Sequence, residues 1–372
     1  MKINIFGDAL GEAGYSQHIR ELSLALDKEG ADVSIETQAQ PGWEQEVSNE
    51  KVKKLLKKNN SDGINIPIAM PNIWPLLSYR NQPFYGFAIF EGTKAPIQWM
   101  LECNKDVVTK VLVPSTHTRD SLINAGVKKS KIEIVPHGVD LSIFKKADKY
   151  DPQFNELVKG SEDFTFLFVG GWSKGDKDRK NLPALLRAYS EEFKKGEKVR
   201  LIVKLNVAYN DPKTWNLANE VEKLGLKKEF AKFVIITNMV SRDKLNQFYS
   251  LADVFVMPTR GEAFCLPSLE AMACGVPNIA TNFGGQTDFI NEKNGWLIDY
   301  DLAPACEDSL LYEEAEWAEI DISKLRKAMR YAYEHPEEVK KKGKQALSDA
   351  QNWTWQSSAK KLLKIINNGL QK

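Results

Sequence analysis

Cysteine and histidine are both scarce in this chain, four of each in 372 residues. Cys103, Cys265, Cys274 and Cys306 are widely spaced, without CxxC pairs or His-rich neighbours. The spacing therefore predicts no zinc knuckle and no disulfide framework, but reduced and mostly buried thiols. No run reaches the ~18 consecutive apolar residues that a membrane-spanning helix requires. The opening MKINIFGDA reads as a first strand and not as an export signal, so a cytoplasmic location is expected. Surplus charge is also missing, because 51 Lys and Arg almost cancel 50 Asp and Glu. Without a global field there is no pull toward nucleic acid, and any basic site must be local. Short repeats and low-complexity tracts are absent, which excludes solenoids and disordered tails. No DxD cluster follows a strand; Asp176 and Asp178 flank Lys177 in a basic loop, so neither a metal nor another cofactor is expected.

What is present is length enough for two domains at about 150 residues each. Short β-rich runs alternate with longer amphipathic stretches: Lys2–Phe6, Val33–Thr37, Ile64–Ala69, Gly86–Phe90, Val111–Pro114 and Ile132–Val135. A second series follows at Phe164–Val169, Val199–Leu205, Phe233–Ile236, Val254–Met257, Pro277–Ala280 and Gly295–Ile298. Parallel strands need long crossover connections, so this alternation predicts an α/β protein of two Rossmann-like domains. The polar stretch 141–160 suits a linker and places the expected boundary at 147, giving domains 1–147 and 148–352. Helices are expected at Ser323–Glu334, Glu337–Gln351 and Ser357–Asn368, with the last segment, 353–372, returning to complete the first domain.

The segment from Pro258 to Pro277 follows a buried strand and opens a helix. Pro267 suits the first helical turn, where a missing amide hydrogen costs nothing, while Gly275 and Pro277 suit its end. Glu262 then lies in the strand-to-helix loop and Glu270 on the helix, so both carboxylates can face the crevice at the strands' carboxyl ends. Two such acceptors suit sugar hydroxyls. The alternative is a solvated Glu262 and a Glu270 that complements the helix dipole for about 0.3–1 kcal/mol. A second loop, Gly170-Gly171-Trp172 through Asn181, carries Lys174, Lys177, Arg179 and Lys180. Glycines admit close backbone approach to phosphate, and cations ahead of a helix neutralise a leaving diphosphate. Near the amino terminus, Asp8 to His18 includes Gly11 and Gly14, which lack GxGxxG spacing and an acidic residue about 20 positions on. That counts against a nicotinamide oxidoreductase.

Glu262 to Glu270 resembles the Glu-x7-Glu signature of retaining GT-B glycosyltransferases, particularly family 4, and the likeness extends through Ile279 to Gly285. The resemblance implies two Rossmann-like domains across a cleft, with the nucleotide-sugar donor on the second and a hydroxyl acceptor on the first. It implies transfer of a hexose with retention, to a glycan, a lipid-linked sugar or a small molecule. By it Glu262 would hold donor sugar hydroxyls, Glu270 the ribose, and the backbone of Phe264, Cys265 and Leu266 the sugar or phosphate. Gly284 and Gly285 would meet donor sugar and diphosphate, with Gly170, Gly171, Gly11 and Gly14 lining the same site. Arg179 and Lys180 would stabilise the leaving group, although Gly171 or Trp172 stands near the family's usual arginine.

Family members often place a histidine in the first domain near the reacting centre, where the loop Ala88–Pro96 offers Glu91. A carboxylate there could orient an acceptor hydroxyl or take its proton, or serve as a buried structural acceptor. His18, His137 and His335 read as packing, capping or hinge residues, and Trp353 and Trp355 as packing. The run Lys51–Lys58 reads as a basic amphipathic helix, either a solvated face or a peripheral contact with an anionic membrane. Another class remains open: a nucleotide-sugar-binding protein of this fold with weak turnover.

Overall fold

The computed structural model describes the chain except residues 12–13, 38–48, 61, 78–82, 160–161, 173–174, 208–209, 211–212, 214, 307–308 and 372. The chain divides into two compact units. Unit 1 comprises Met1–Gly138, Asp308–Glu316 and Trp353–Lys372, and unit 2 comprises Val139–Glu307 and Trp317–Asn352. Unit 1 gives way to unit 2 at Gly138, ahead of the 147 read from composition, because the intervening segment is bonded into unit 2. There the Lys145 amide donates to Asn246 Oδ1 at 3.1 Å and the Ala147 amide to Ser250 Oγ at 2.9 Å.

Unit 1 contains β1 (Lys2–Gly7), β2 (Asp32–Thr37), β3 (Ile64–Pro67), β4 (Phe84–Phe87), β5 (Val108–Val113) and β6 (Ile132–Ile134) in the order β2-β1-β3-β4-β5-β6. Unit 2 contains β7 (Phe164–Gly171), β8 (Val199–Asn206), β9 (Lys232–Ile236), β10 (Val254–Met257), β11 (Asn278–Thr281) and β12 (Gly295–Ile298) in the order β12-β11-β10-β7-β8-β9. Neighbouring strands in both sheets pair in parallel. The central strands are near-continuous apolar runs: Phe166, Leu167 and Phe168 on β7 and Leu201, Ile202 and Val203 on β8 are fully buried. That pattern arises because helices cover both faces of a parallel sheet. These are the two Rossmann-like α/β domains expected from the alternation of elements.

Two strands start early: β4 at Phe84, two residues before the expected Gly86, and β5 at Val108, three before the expected Val111. Gly86 lies under Trp74, and a Cβ there would come within 2.4 Å of Cη2 of that indole. Two further strands, β13 (Tyr300–Pro304) and β14 (Glu316–Ile320), form a small separate sheet. β13 is only partly buried, so its apolar pattern is too weak to announce it.

In unit 2 the chain runs outward from β7 through β8 to β9, returns to β10 beside β7, and runs outward the other way. Loops leaving β7 and β10 therefore part at their carboxyl ends and leave a crevice, the usual ligand position in an open α/β sheet. Unit 1 has the corresponding reversal between β1 and β3.

Candidate functional site

The crevice in unit 2 is lined by the loop after β7, which carries Arg179 and Lys180, and the loop after β10, which carries Glu262. The two loops are bonded to each other through backbone. The Arg179 carbonyl accepts from the Arg260 amide at 2.8 Å and from Thr259 Oγ1 at 3.1 Å. Lys180 Nζ donates to Glu262 Oε1, and Arg179 NH1 lies 3.7 Å from the same oxygen while donating to the Gly261 carbonyl at 2.6 Å. Glu262 is buried at 6% exposure, whereas the Arg179 and Lys180 side chains are half-buried. The charged cluster read from the sequence is thus assembled in space.

Two non-glycine residues among those described have positive φ, Asn181 at 57° and Cys265 at 73°. Each is the N-cap of the helix that follows one crevice strand: Leu182–Glu192 after β7 and Leu266–Ala273 after β10. Left-handed backbone at such residues costs about 1–3 kcal/mol and persists where the surroundings over-determine it, commonly at ligand sites. The helix Leu182–Glu192 forms because Leu182, Leu185, Leu186 and Tyr189 fall on one buried face. Pro267 opens the second helix and Gly275, at φ 76°, ends it, as its sequence required. Burial pushes the Cys265 thiol up to about 12, which makes it an inert wall. Phe264 packs on Phe289 at 5.1 Å, and Leu266 is buried beside it.

Several glycines differ from their expected use. Gly170 and Gly171 lie inside β7, paired with Leu205 and Asn206, and not in the loop after it. The Lys180 stem packs over Gly170, its Cγ 3.8 Å from where a Cβ would stand. Gly284 has φ 103°, and the Gly285 amide donates to the Glu262 carbonyl at 2.7 Å. The Gly285 amide is therefore committed to holding the Glu262 loop and is not aimed at a diphosphate. In unit 1 the Gly11 amide donates to Asp8 Oδ1 at 3.0 Å, closing a local turn, while Gly14 starts the helix Gly14–Lys28.

Glu270 is buried at 3% exposure with partners of its own: Tyr249 OH donates to Oε2 at 2.9 Å, and Arg242 NH2 lies 3.5 Å from Oε1. The two carboxylates of the signature thus sit in different charge settings. Lys177 is exposed and Asp176 is paired with Arg187 at 2.8 Å; Lys174 lies outside the described residues.

In unit 1, Glu91 follows β4 and accepts a bond on Oε1 from Tyr312 OH at 2.7 Å, while Phe90 stacks on the Tyr312 ring at 5.6 Å. Tyr312 belongs to the segment Asp308–Glu316, which is fastened there by Lys94 to Glu314 and by the Thr93 amide to the Glu316 carbonyl at 3.2 Å. His117 Nε2 donates to the Glu91 carbonyl at 3.0 Å. His18, His137 and Trp355 pack together, with the two imidazole centroids 4.2 Å apart. Burial holds His137 at about 3, and burial with the neighbouring His137 holds His18 well below the usual histidine range. His335 joins two helices and stacks on Tyr331 at 4.0 Å. The basic run forms the helix Glu50–Leu56, with Val52 and Leu55 buried, Lys53 paired to Glu50 and Lys58 to Asp32.

Tyr312, His117, Tyr249, Arg242 and Arg260, with the Glu319 that the Arg260 guanidinium grips at 2.6 Å, are the residues of these clusters that sequence reasoning missed. Arg260 alone carried a signal, since a cation two residues before Glu262 in an otherwise apolar loop needs a buried partner.

Residues 163–311 match the family described as Glycosyl transferases group 1. The D-inositol 3-phosphate glycosyltransferase of Paenarthrobacter aurescens is 29% identical over 59% of this chain and 52% of its own length. The chain thus spans about half the length of the curated relatives it matches. Sucrose-phosphate synthase from Thermosynechococcus elongatus superposes with a TM-score of 0.69 at 17% identity, covering 99% of this chain and 98% of that one. HepE of Anabaena, solved in complex with UDP and glucose, superposes with a TM-score of 0.69 at 14% identity, covering 99% and 100%.

Proposed function

We propose that this chain, with its group 1 glycosyl transferase segment and GT-B fold, transfers a hexose from a nucleoside-diphosphate sugar to a hydroxyl acceptor with retention of configuration. The observation that carries this reading is the meeting of Lys180, Arg179 and buried Glu262 at the β7/β10 crevice. Glu262 is an acceptor-only group with about four lone-pair sites, so holding Lys180 leaves capacity for donor sugar hydroxyls. Lys180 and Arg179 meet the charge that develops as the bond to the diphosphate breaks, where fixed cations in a dry site act most strongly. In this reading the neutralising charge is the protein's own, with no metal. Glu270, anchored by Tyr249 and Arg242, takes the ribose, and Glu91 receives or orients the acceptor hydroxyl. The relatives' names include both D-inositol 3-phosphate and a monoglucosyldiacylglycerol, so the reading commits to a hydroxyl acceptor and to no narrower class.

The test is a donor panel of UDP- and GDP-sugars scored for sugar release and transfer. Lys180→Ala is expected to lower turnover by about 10²–10³, the scale of removing one charge-stabilising donor. Unchanged turnover in Lys180→Ala and Glu262→Ala would sink the assignment.

A further inference from the structure

Arg260 stands at the crossing of three segments of unit 2. Its amide donates to the Arg179 carbonyl at 2.8 Å, and its own carbonyl accepts from the Ala318 amide at 2.9 Å. Guanidinium NH1 donates to the Asp178 carbonyl at 2.7 Å, while Nε and NH2 grip both oxygens of Glu319 at 2.6 and 2.9 Å. The residue is 9% exposed. It therefore holds the two backbone carbonyls that precede Lys180 and is itself oriented by a carboxylate on β14.

We propose that Arg260, braced by Glu319, is the positioning residue that places Lys180 against the donor diphosphate. The inference rests on the reading of Lys180 given above. An ammonium on a flexible stem is placed only as well as the backbone beneath it, and here that backbone passes straight into the left-handed Asn181. Arginine's planar fork can satisfy the Asp178 carbonyl and both Glu319 oxygens together; lysine's point charge cannot. Displacing a reacting group by about 1 Å can cost about 10²-fold in rate.

The experiment is a double-mutant cycle in kcat for donor turnover using wild type, Arg260→Lys, Lys180→Ala and the double variant, with thermal melting of each. Arg260→Lys is expected to lower kcat by about 10- to 100-fold. In the Lys180→Ala background the same change is expected to cost less than about threefold, because nothing remains to be placed. An equal loss in both backgrounds overturns the proposal, since Arg260 would then act on the fold at large. Should Arg260→Lys fail to fold, Glu319→Gln, whose side chain is 46% exposed, takes its place in the same cycle. Lys180→Ala that leaves turnover intact refutes the site reading itself, whereas Lys180→Ala that lowers it measurably while Arg260 stays multiplicative refutes only this inference.

Discussion

Replacing Gly285 by alanine tests the closest approach in the unit 2 crevice. A Cβ at that position would stand 2.0 Å from the Ala263 carbonyl oxygen, 2.5 Å from its carbon and 2.8 Å from Phe264 Cα. All three are backbone atoms, so no side chain can swing aside. Relief to 3.0 Å demands that the two loops part by about 1 Å, which breaks the bond from the Gly285 amide to the Glu262 carbonyl. Overpacking costs about 1–3 kcal/mol and the lost hydrogen bond about 0.5–1.5, so a loss of about 2–4 kcal/mol is expected. Urea unfolding followed by tryptophan fluorescence measures it, and donor turnover should fall in parallel because Glu262 moves with its carbonyl. Gly14→Ala is the control. Nothing lies within 4 Å of a Cβ there and the residue begins a helix, so it should be neutral or stabilise by up to about 1 kcal/mol. Wild-type stability and turnover in Gly285→Ala would refute the close approach and the role built on it.

Acid should expose the buried imidazoles. His137 is neutral in the fold down to pH about 3 and protonates near 6.5 once unfolded, so its contribution is full above pH 6.5 and is lost as pH falls, by about 1.4 kcal/mol per unit. His137→Phe should therefore lose about 2 kcal/mol less than wild type between pH 6.5 and 4.5, and identical losses in urea titrations would contradict the burial. Tyr312→Phe removes the donor to Glu91 at a stability cost of about 1 kcal/mol. It should change kcat/KM for the acceptor and leave donor hydrolysis unaltered; equal effects on both would count against Glu91 at the acceptor.

Sequence periodicity located all twelve strands of the two large sheets because they are written as apolar runs, the central ones buried on both faces and the partly buried β9 still carrying Phe233 to Ile236. β13 escaped because its sequence, Tyr300 to Pro304, is partly buried and carries no such run. At the site, Glu262 and Lys180 were legible because charged residues flank apolar strands there. What they touch was not. Gly285 reads as a phosphate-facing glycine, yet its amide closes on Glu262, a contact between residues far apart in sequence. Tyr312 could not be assigned to Glu91 for the same reason: 221 positions separate them, and no local pattern records the pairing. His117 lies at the polar start of the helix Thr116–Asn124, where no apolar pattern marks it, and the fold brings it to the Glu91 carbonyl.

The final helix, Trp355–Leu370, has a consequence for synthesis. Gln356 bonds Glu29 across 327 positions, and Trp355 caps the His18–His137 pair, where a Cβ on Gly138 would stand 2.1 Å from the Trp355 nitrogen. At about 5–20 residues per second, the ribosome needs roughly 15–65 s to deliver that cap after Glu29 has emerged. Limited proteolysis of stalled chains should find the first six strands cleavable until the helix is released. From the emergence of His137 until that of Trp355 the first unit is an unsealed sheet whose imidazole pair lacks its indole cover, a client for chaperones.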